Sequence, residues 1–182
     1  MKSSLEVRPI FHWTEPRIKG HFLICFLAFL LERTLEFKLI VDHIHITVCN
    51  LKEAEKFYDN LLPYLGYDLN LKEYTKIPEH EYESIEYHHK IISIGLINSR
   101  SQFSNEQIHR RRPGSLHHLA FFAESNDEVD YLYDKIKSVG AQIVSSPRFY
   151  PEYCPDYYAF FFKDPEGIKF EIVYYDKSRY FE

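Results

Sequence analysis

Polar and apolar side chains alternate strictly along residues 43–48. Histidine, histidine and threonine occupy positions 43, 45 and 47, and isoleucine, isoleucine and valine occupy positions 44, 46 and 48. A period of two residues is typical of a β-strand whose two faces meet different surroundings. The pattern therefore predicts a strand whose apolar face packs on a helix and whose polar face lines a cavity.

The chain repeats this strand further along. The second copy begins with residues 117–123, where His118 follows His43 by 75 positions (118 − 43 = 75). Tyr58 and Tyr133 have the same offset. Matching across several elements indicates two copies of one structural unit.

Each copy continues with a capped helix. Asn50 and Ser125 are good N-cap residues, and each has a glutamate three positions later, which is the spacing of a capping box. The pattern predicts helices over residues 51–62 and 126–138. Turn glycines follow the two helices at Gly66 and Gly140.

Further strands complete each copy in the order β-α-β-β-β, which makes the predicted fold class α+β. These strands are predicted at residues 67–73, 91–97, 142–145, 157–162 and 168–175. The sequence Asp164-Pro165-Glu166-Gly167 is a turn signal that joins the last two strands as a hairpin. Residues 74–90 are polar and are predicted to form a long loop or an irregular strand.

Residues 1–38 differ from the rest of the chain, and we predict a short helical appendage before a domain over residues 39–182. The most apolar run in the appendage is Phe22–Leu31. Ten residues are too few to span a bilayer, which needs roughly 20, and no small-residue cleavage site follows. The run predicts a buried or partner-seeking helix and no membrane association.

Charge and cysteine content narrow the function classes. The formal net charge is −5, so we expect no nucleic-acid partner, and the basic run at residues 110–112 is interpreted as a solvated loop. The three cysteines are widely spaced and form no C-x-x-C pair. This spacing indicates neither a disulfide framework nor a cysteine zinc site. It favours a location of the protein in the reducing cytoplasm.

Three residues are the main candidates for chemistry. His43 and His118 open equivalent strands, and Glu171 alternates with apolar residues on the last strand. Two imidazoles and one carboxylate suit a divalent metal such as Fe, Mn, Ni or Zn, and three protein ligands leave positions open for substrate oxygens. We predict that these three residues bind the metal and that Glu171 is also catalytic.

The alternative interpretation is structural, because a strand histidine is often only a satisfied polar residue. Weaker candidates, interpreted as structural or pocket-lining, are His45, His88, His89 and His117. Four tyrosines have two interpretations: they either line the pocket or lie in the core or in exposed loops. They are Tyr150, Tyr153, Tyr157 and Tyr158.

Two segments carry a family resemblance. Residues 41–66 resemble the beginning of a vicinal-oxygen-chelate protein. Residues 155–174 resemble its end and contain the motif Asp164-Pro-x-Gly-x-x-x-Glu171. This superfamily includes glyoxalases, extradiol dioxygenases and bleomycin-resistance proteins. The resemblance implies two modules paired around a metal cleft, with ligands on the first and last strand of each module.

His43, His118 and Glu171 match three of the four ligand positions that the resemblance implies. The fourth falls on residues 91–98, which contain no acid and no histidine. A four-ligand glyoxalase site is therefore not expected, and we predict negligible glyoxalase activity.

Residues 1–38 resemble the C-terminal end of a DDE insertion-sequence transposase, through residues 1–13, 17–22 and 35–39. That family's catalytic acids would lie upstream of Met1. The resemblance implies a remnant fused to the domain, without transposition activity.

The sequence leaves two main functions open. One is a divalent-metal-dependent lyase, isomerase or dioxygenase that acts on a small oxygenated substrate. The other is a non-catalytic binding or resistance protein of the bleomycin-resistance type. The sequence also leaves open whether the cleft closes within one chain or across a homodimer.

Overall fold

The computed structural model describes residues 15–35, 41–106 and 109–180. The chain divides into two compact units, residues 1–40 and residues 41–182. In the first unit, helix α1 runs over Glu15–Leu35. No helix in the described part of the chain is long and apolar enough to cross a membrane. Parts of the transposase-like sequence, residues 1–14 and 36–39, lie outside the described residues.

Helix α1 exposes a set of large apolar side chains. The most exposed are Phe22, Leu23, Ile24 and Phe26. The predicted apolar helix is therefore present.

The second unit begins with a β-α-β-β-β module. Its elements are β1 (His43–Val48), α2 (Leu51–Leu61), β2 (Lys72–Ile77), β3 (Tyr82–Tyr87) and β4 (Ser93–Asn98). The four strands form one sheet in the order β1-β4-β3-β2. β1 is parallel to β4, and the other neighbours are antiparallel.

The second module repeats this plan. Its elements are β5 (Leu119–Phe122), α3 (Asn126–Ser138), β6 (Gln142–Phe149), β7 (Tyr158–Lys163) and β8 (Lys169–Tyr174). The sheet order is β5-β8-β7-β6, with β5 parallel to β8. The predicted α+β fold with two β-α-β-β-β modules is confirmed.

The predicted helix caps and turn glycines are present. The Asn50 side chain accepts a hydrogen bond from the Glu53 N–H at 3.2 Å, and Ser125 accepts one from the Glu128 N–H at 3.1 Å. These caps satisfy N–H groups that have no partner within the helix. The glycines after the helices, Gly66 and Gly140, have φ angles of 89° and 84°, a region that disfavours a side chain.

The prediction for residues 67–90 was partly wrong. The strand predicted at 67–73 begins only at Lys72, after a turn of 3₁₀-helix at Leu69–Leu71. Residues 74–90 contain most of β2 and all of β3, which pair as an antiparallel hairpin. The hairpin escaped prediction because β2 is almost entirely exposed, so its sequence lacks the alternation of a half-buried strand.

The two modules share one hydrophobic core and are joined by hydrogen bonds from the turn between β7 and β8. The Tyr58 hydroxyl donates to Asp164 Oδ2 at 2.8 Å. Glu166 Oε1 accepts from the backbone N–H groups of Cys49 and Asn50 at 3.0 and 3.2 Å. A carboxylate at a helix N-terminus is favourable for the helix dipole, so the second module helps to cap α2 of the first.

Asp164 makes stability depend on pH. Burial raises the pKa of Asp164 to about 6, against the opposing effect of the hydrogen bonds from Tyr58 and Ile168. In the unfolded chain an aspartate titrates near pH 4. Between these values the native state holds a proton that the unfolded chain has lost, so the free energy of unfolding falls as pH rises through this window.

We predict that Asp164→Asn removes this dependence. Between pH 4 and pH 7, the free energy of unfolding of the variant should rise by up to about 3 kcal/mol relative to that of wild type, since each pKa unit corresponds to about 1.4 kcal/mol. Urea unfolding at several pH values measures the change. The matched control is Asp130→Asn, which removes the carboxylate that accepts from the exposed Tyr158 hydroxyl. An unchanged pH profile in Asp164→Asn would contradict the prediction.

Candidate functional site

The polar face of β1 forms as the alternation predicted. His43, His45 and Thr47 are exposed, whereas Ile46 and Val48 are buried. The buried side chains belong to the core that contains the apolar face of α2. The histidines therefore lie on the sheet face opposite the helix.

The second module brings His118 and Glu171 together. His118 directly precedes β5, and its Nε2 atom lies 3.2 Å from Glu171 Oε2. Glu171 lies on β8 and is only 3% exposed. The other carboxylate oxygen accepts a hydrogen bond from the Tyr157 hydroxyl at 2.7 Å. One oxygen of this buried carboxylate thus has a hydrogen-bond donor, and the other lies next to an imidazole nitrogen.

The surroundings shift the pKa values of this group. Burial raises the pKa of Glu171, while the Tyr157 hydrogen bond and the Lys169 charge act in the opposite direction. Burial, together with the charges of Lys169 and Arg110, lowers the pKa of His118. Burial and the Glu171 hydrogen bond raise the pKa of Tyr157 well above its usual range. The site therefore favours a neutral imidazole and a neutral phenol around the carboxyl group.

A hydrogen-bonded chain leads from the surface to His118, which lies beside Glu171. Arg110 Nη1 lies 2.7 Å from His117 Nε2, and the Nδ1 atoms of His117 and His118 are 2.7 Å apart. Arginine can only donate, so His117 Nε2 accepts and its proton lies on Nδ1. His118 Nδ1 must then accept, which leaves the proton of His118 on Nε2, facing Glu171.

The three predicted metal ligands are not gathered in one place. His118 and Glu171 are adjacent, but His43 pairs with Asp42 (Nδ1 to Oδ2, 2.8 Å), and its ring lies 4.6 Å from that of His45. Across residues 15–35, 41–106 and 109–180, no group of three or more His, Cys, Asp or Glu side chains is placed to hold one metal ion. The donor types of His118 and Glu171 suit a divalent metal. The fit is incomplete within a single chain, because two donors are fewer than the three that catalytic sites use.

Sequence reasoning missed or undervalued several residues around Glu171. Tyr157 was one of four tyrosines with no preferred role, His117 was expected to be structural or pocket-lining, and Arg110 was assigned to a solvated loop. By contrast, Tyr158 faces the other way, because its hydroxyl donates to Asp130 on α3. The alternation of β7 separates Tyr158 from Tyr157, but only the fold shows which of the two reaches Glu171.

The first module also contains a histidine next to a carboxylate. His45 Nε2 lies 3.2 Å from Glu86 Oε1 on β3. The prediction that β4 offers no acidic ligand holds for β4 itself. Glu86 lies on the neighbouring strand, within the segment that was predicted to be a loop or irregular strand.

Comparison with known proteins decides the family. The sequence model of the Glyoxalase/Bleomycin resistance protein/Dioxygenase superfamily matches residues 40–172. The chain belongs to this superfamily. The match begins after residues 1–38, whose resemblance to a transposase stays a prediction.

Individual proteins are similar to this chain in sequence or in fold. The uncharacterized protein YqjT of Bacillus subtilis is 31% identical over 133 residues, which covers 73% of this chain and 97% of YqjT. The crystal structure of a candidate glyoxalase from Bacillus halodurans is 32% identical, with a TM-score of 0.59, and covers 78% of this chain and 99% of that chain. A superfamily domain from Frankia sp. EAN1pec shares the fold at 20% identity, with a TM-score of 0.61, over 76% of this chain and 99% of that chain.

The hydrogen-bonded chain predicts the tautomers of this superfamily member. In the metal-free protein at neutral pH we expect His118 to carry its proton on Nε2 and His117 on Nδ1, because the Arg110 donor fixes the direction of both bonds. Long-range ¹H–¹⁵N NMR distinguishes the two tautomers. Arg110→Met should leave both histidines as tautomer mixtures, and Arg112→Met, which removes a neighbouring exposed charge, should not. A proton on Nδ1 of His118 in the wild-type protein would contradict the direction of the chain.

Proposed function

We propose that this protein is a divalent-metal-dependent enzyme of the lyase, isomerase or dioxygenase type that acts on a small oxygenated molecule. The observation that carries the proposal is the buried Glu171 carboxylate beside a neutral His118. A nearby cation stabilises a desolvated carboxylate, and a bound metal ion would take the place of the proton that His118 Nε2 carries in the metal-free chain. His118 and Glu171 are therefore the proposed metal-binding pair, and Glu171 is also the proposed catalytic group.

The proposed third ligand is His43 from a second copy of the chain. His43 is exposed, with 53% of its side chain accessible, and lies on the polar face of the first module. It does not join His118 and Glu171 within the described part of one chain. Two-fold symmetric dimers are the commonest protein assemblies, and such a dimer can place the first module of one copy against the second module of the other.

Each chemical role in the proposal belongs to a named side chain. A bound divalent ion would act as a Lewis acid on two neighbouring substrate oxygens. Glu171 has a raised pKa, which makes its carboxylate a stronger base near neutral pH than an ordinary glutamate. Tyr157 holds one oxygen of Glu171 and so orients the other toward His118. We expect the protein to act in the cytoplasm, where its three free cysteines, Cys25, Cys49 and Cys154, stay reduced.

Metal content tests the proposal. Protein purified without chelators should contain about one divalent metal ion per chain, as expected for one catalytic site. His118→Ala should lose most of this metal because it removes a direct ligand. The matched control, His88→Ala, removes an exposed histidine that pairs with Glu73 and should keep the metal. Metal at background level in the wild-type protein, measured by elemental analysis, would overturn the enzyme proposal in this form.

A second function is favoured by one observation, namely that both oxygens of Glu171 already have partners within the chain. A satisfied polar network can bind a hydroxylated ligand without a metal, as a bleomycin-resistance-type binding protein would. Calorimetry with a catechol distinguishes the two functions. Tighter binding to metal-loaded protein supports the enzyme, and equal binding to metal-free protein supports the binding module.

A further inference from the structure

Arg110 and Lys169 are two half-buried cations that lie near His118 and Glu171. In the part of the chain that the structure describes, Arg110 contacts a histidine and Lys169 an aromatic ring, and neither forms an ion pair with a carboxylate. The chain contains 27 acidic and 22 basic residues, so acidic partners are in excess. The lack of a partner at these two positions therefore does not follow from a shortage of carboxylates.

Lys72 shows how this chain neutralises a structural cation. Its side chain is 12% exposed, and its Nζ atom lies 2.8 Å from Glu55 and 2.9 Å from Asp59. A partly desolvated charge without a counter-charge is unfavourable. Because Arg110 and Lys169 lack the partners that Lys72 has, they are suited to an anion from outside the chain.

Lys169 lies on the sheet face that carries Glu171. The two residues are two positions apart on β8, so their side chains leave the sheet on the same side. Lys169 Nζ lies 3.6 Å from the centroid of the Phe161 ring, and Phe161 is opposite Glu171 on β7. An aromatic ring attracts an ammonium group without neutralising it, and the N–H donors of the ammonium remain available to a ligand.

Arg110 approaches the same face from the loop before β5. Its Nη1 atom bonds to His117 Nε2 at 2.7 Å, and His117 in turn contacts His118. A guanidinium group has five N–H donors, and within the described residues no other acceptor is paired with those of Arg110. The charge of Arg110 also repels that of Lys169. An anion held by both side chains would offset this repulsion.

We propose that Arg110 and Lys169 bind an anionic oxygen group of the substrate, a carboxylate or a phosphate, beside His118 and Glu171. The inference rests on the proposed function and narrows its substrate class. The substrate offers two neighbouring oxygens to the metal and has a separate anionic group. Arginine and lysine bind such groups through charge-assisted hydrogen bonds, which are stronger than neutral ones. The basic run at residues 110–112 thus contributes a binding residue.

Three hydroxamates test the inference by calorimetry on full-length protein loaded with Mn²⁺. Acetohydroxamate is neutral, succinic monohydroxamate adds a carboxylate, and phosphonoacetohydroxamate adds a phosphonate, so all three present the same pair of chelating oxygens. The added anion should tighten binding about tenfold, as expected for one hydrogen bond to a charged group, and added salt should reduce this gain. The group that gives the larger gain identifies the natural anion as a carboxylate or a phosphate.

Substitution of the two cations should remove the gain. Lys169→Met and Arg110→Met should each lose most of it, and Lys169→Arg, which keeps the charge, should preserve it. The gain compares two ligands on one variant, so an effect of the substitution on the metal or on the histidine tautomers cancels. The matched control is Lys137→Met, which removes a lysine that also lies over an aromatic ring, 5.7 Å from the centroid of Tyr133, but belongs to α3. It should keep the full gain.

Two results would rule the inference out. One is equal binding of the three hydroxamates by the wild-type protein, and the other is a full gain in Lys169→Met and Arg110→Met that circular dichroism shows to be folded. If wild-type protein holds no metal and binds no acetohydroxamate, the proposed function fails, and inorganic phosphate titrated into chelator-treated protein decides the inference. Phosphate binding that Lys169→Met weakens and Lys137→Met does not supports it, and equal binding by both variants contradicts it.

Discussion

The carboxylate of Glu171 lies in the interior of the second module, and the rest of the site is arranged around the cost of burying it. A buried charge without partners is strongly unfavourable, so it must be neutralised, hydrogen-bonded or paired with a cation. Tyr157 and His118 each reach one oxygen. His118 is in turn fixed by His117 and Arg110. The properties of the whole network therefore follow from one desolvated carboxyl group.

The two copies of the unit differ at the position of this carboxylate. Both modules keep the first strand, the capped helix and the sheet order, because these elements support the shared core. At the position of Glu171 the first module has Gly95, and His45 and Glu86 occupy the space. Each module therefore has one histidine–carboxylate pair, but the two pairs come from different strands.

The sequence predicted well the features that depend on local chemistry. The N-caps Asn50 and Ser125, the positive-φ glycines and the Asp164–Gly167 turn each rest on a few adjacent residues, and all formed as expected. The sequence did not predict the β2–β3 hairpin, because its strands are largely polar and only Ser84, Ile85 and Tyr87 are buried. Glu86 was missed with it.

The site was only partly predictable for a different reason. Repeat equivalence identified His43 and His118, and alternation identified Glu171, but neither shows how two modules are oriented. The pairing of His118 with Glu171 depends on the register of β5 against β8, which is set within one module. The relation of His43 to that pair depends on packing between modules or between chains, on which strand periodicity carries no information.

Mixing two variants that each lack one metal ligand tests most directly whether the metal site is shared between copies. His43→Ala and His118→Ala are each purified, unfolded together in equal amounts and refolded, and the bound metal is measured. If His43 of one copy completes the pair on the other, half of the dimers are mixed and each has one intact site, so about one quarter of the wild-type metal content should return. Recovery of no metal above that of the separate variants, with both variants folded, would contradict the shared site.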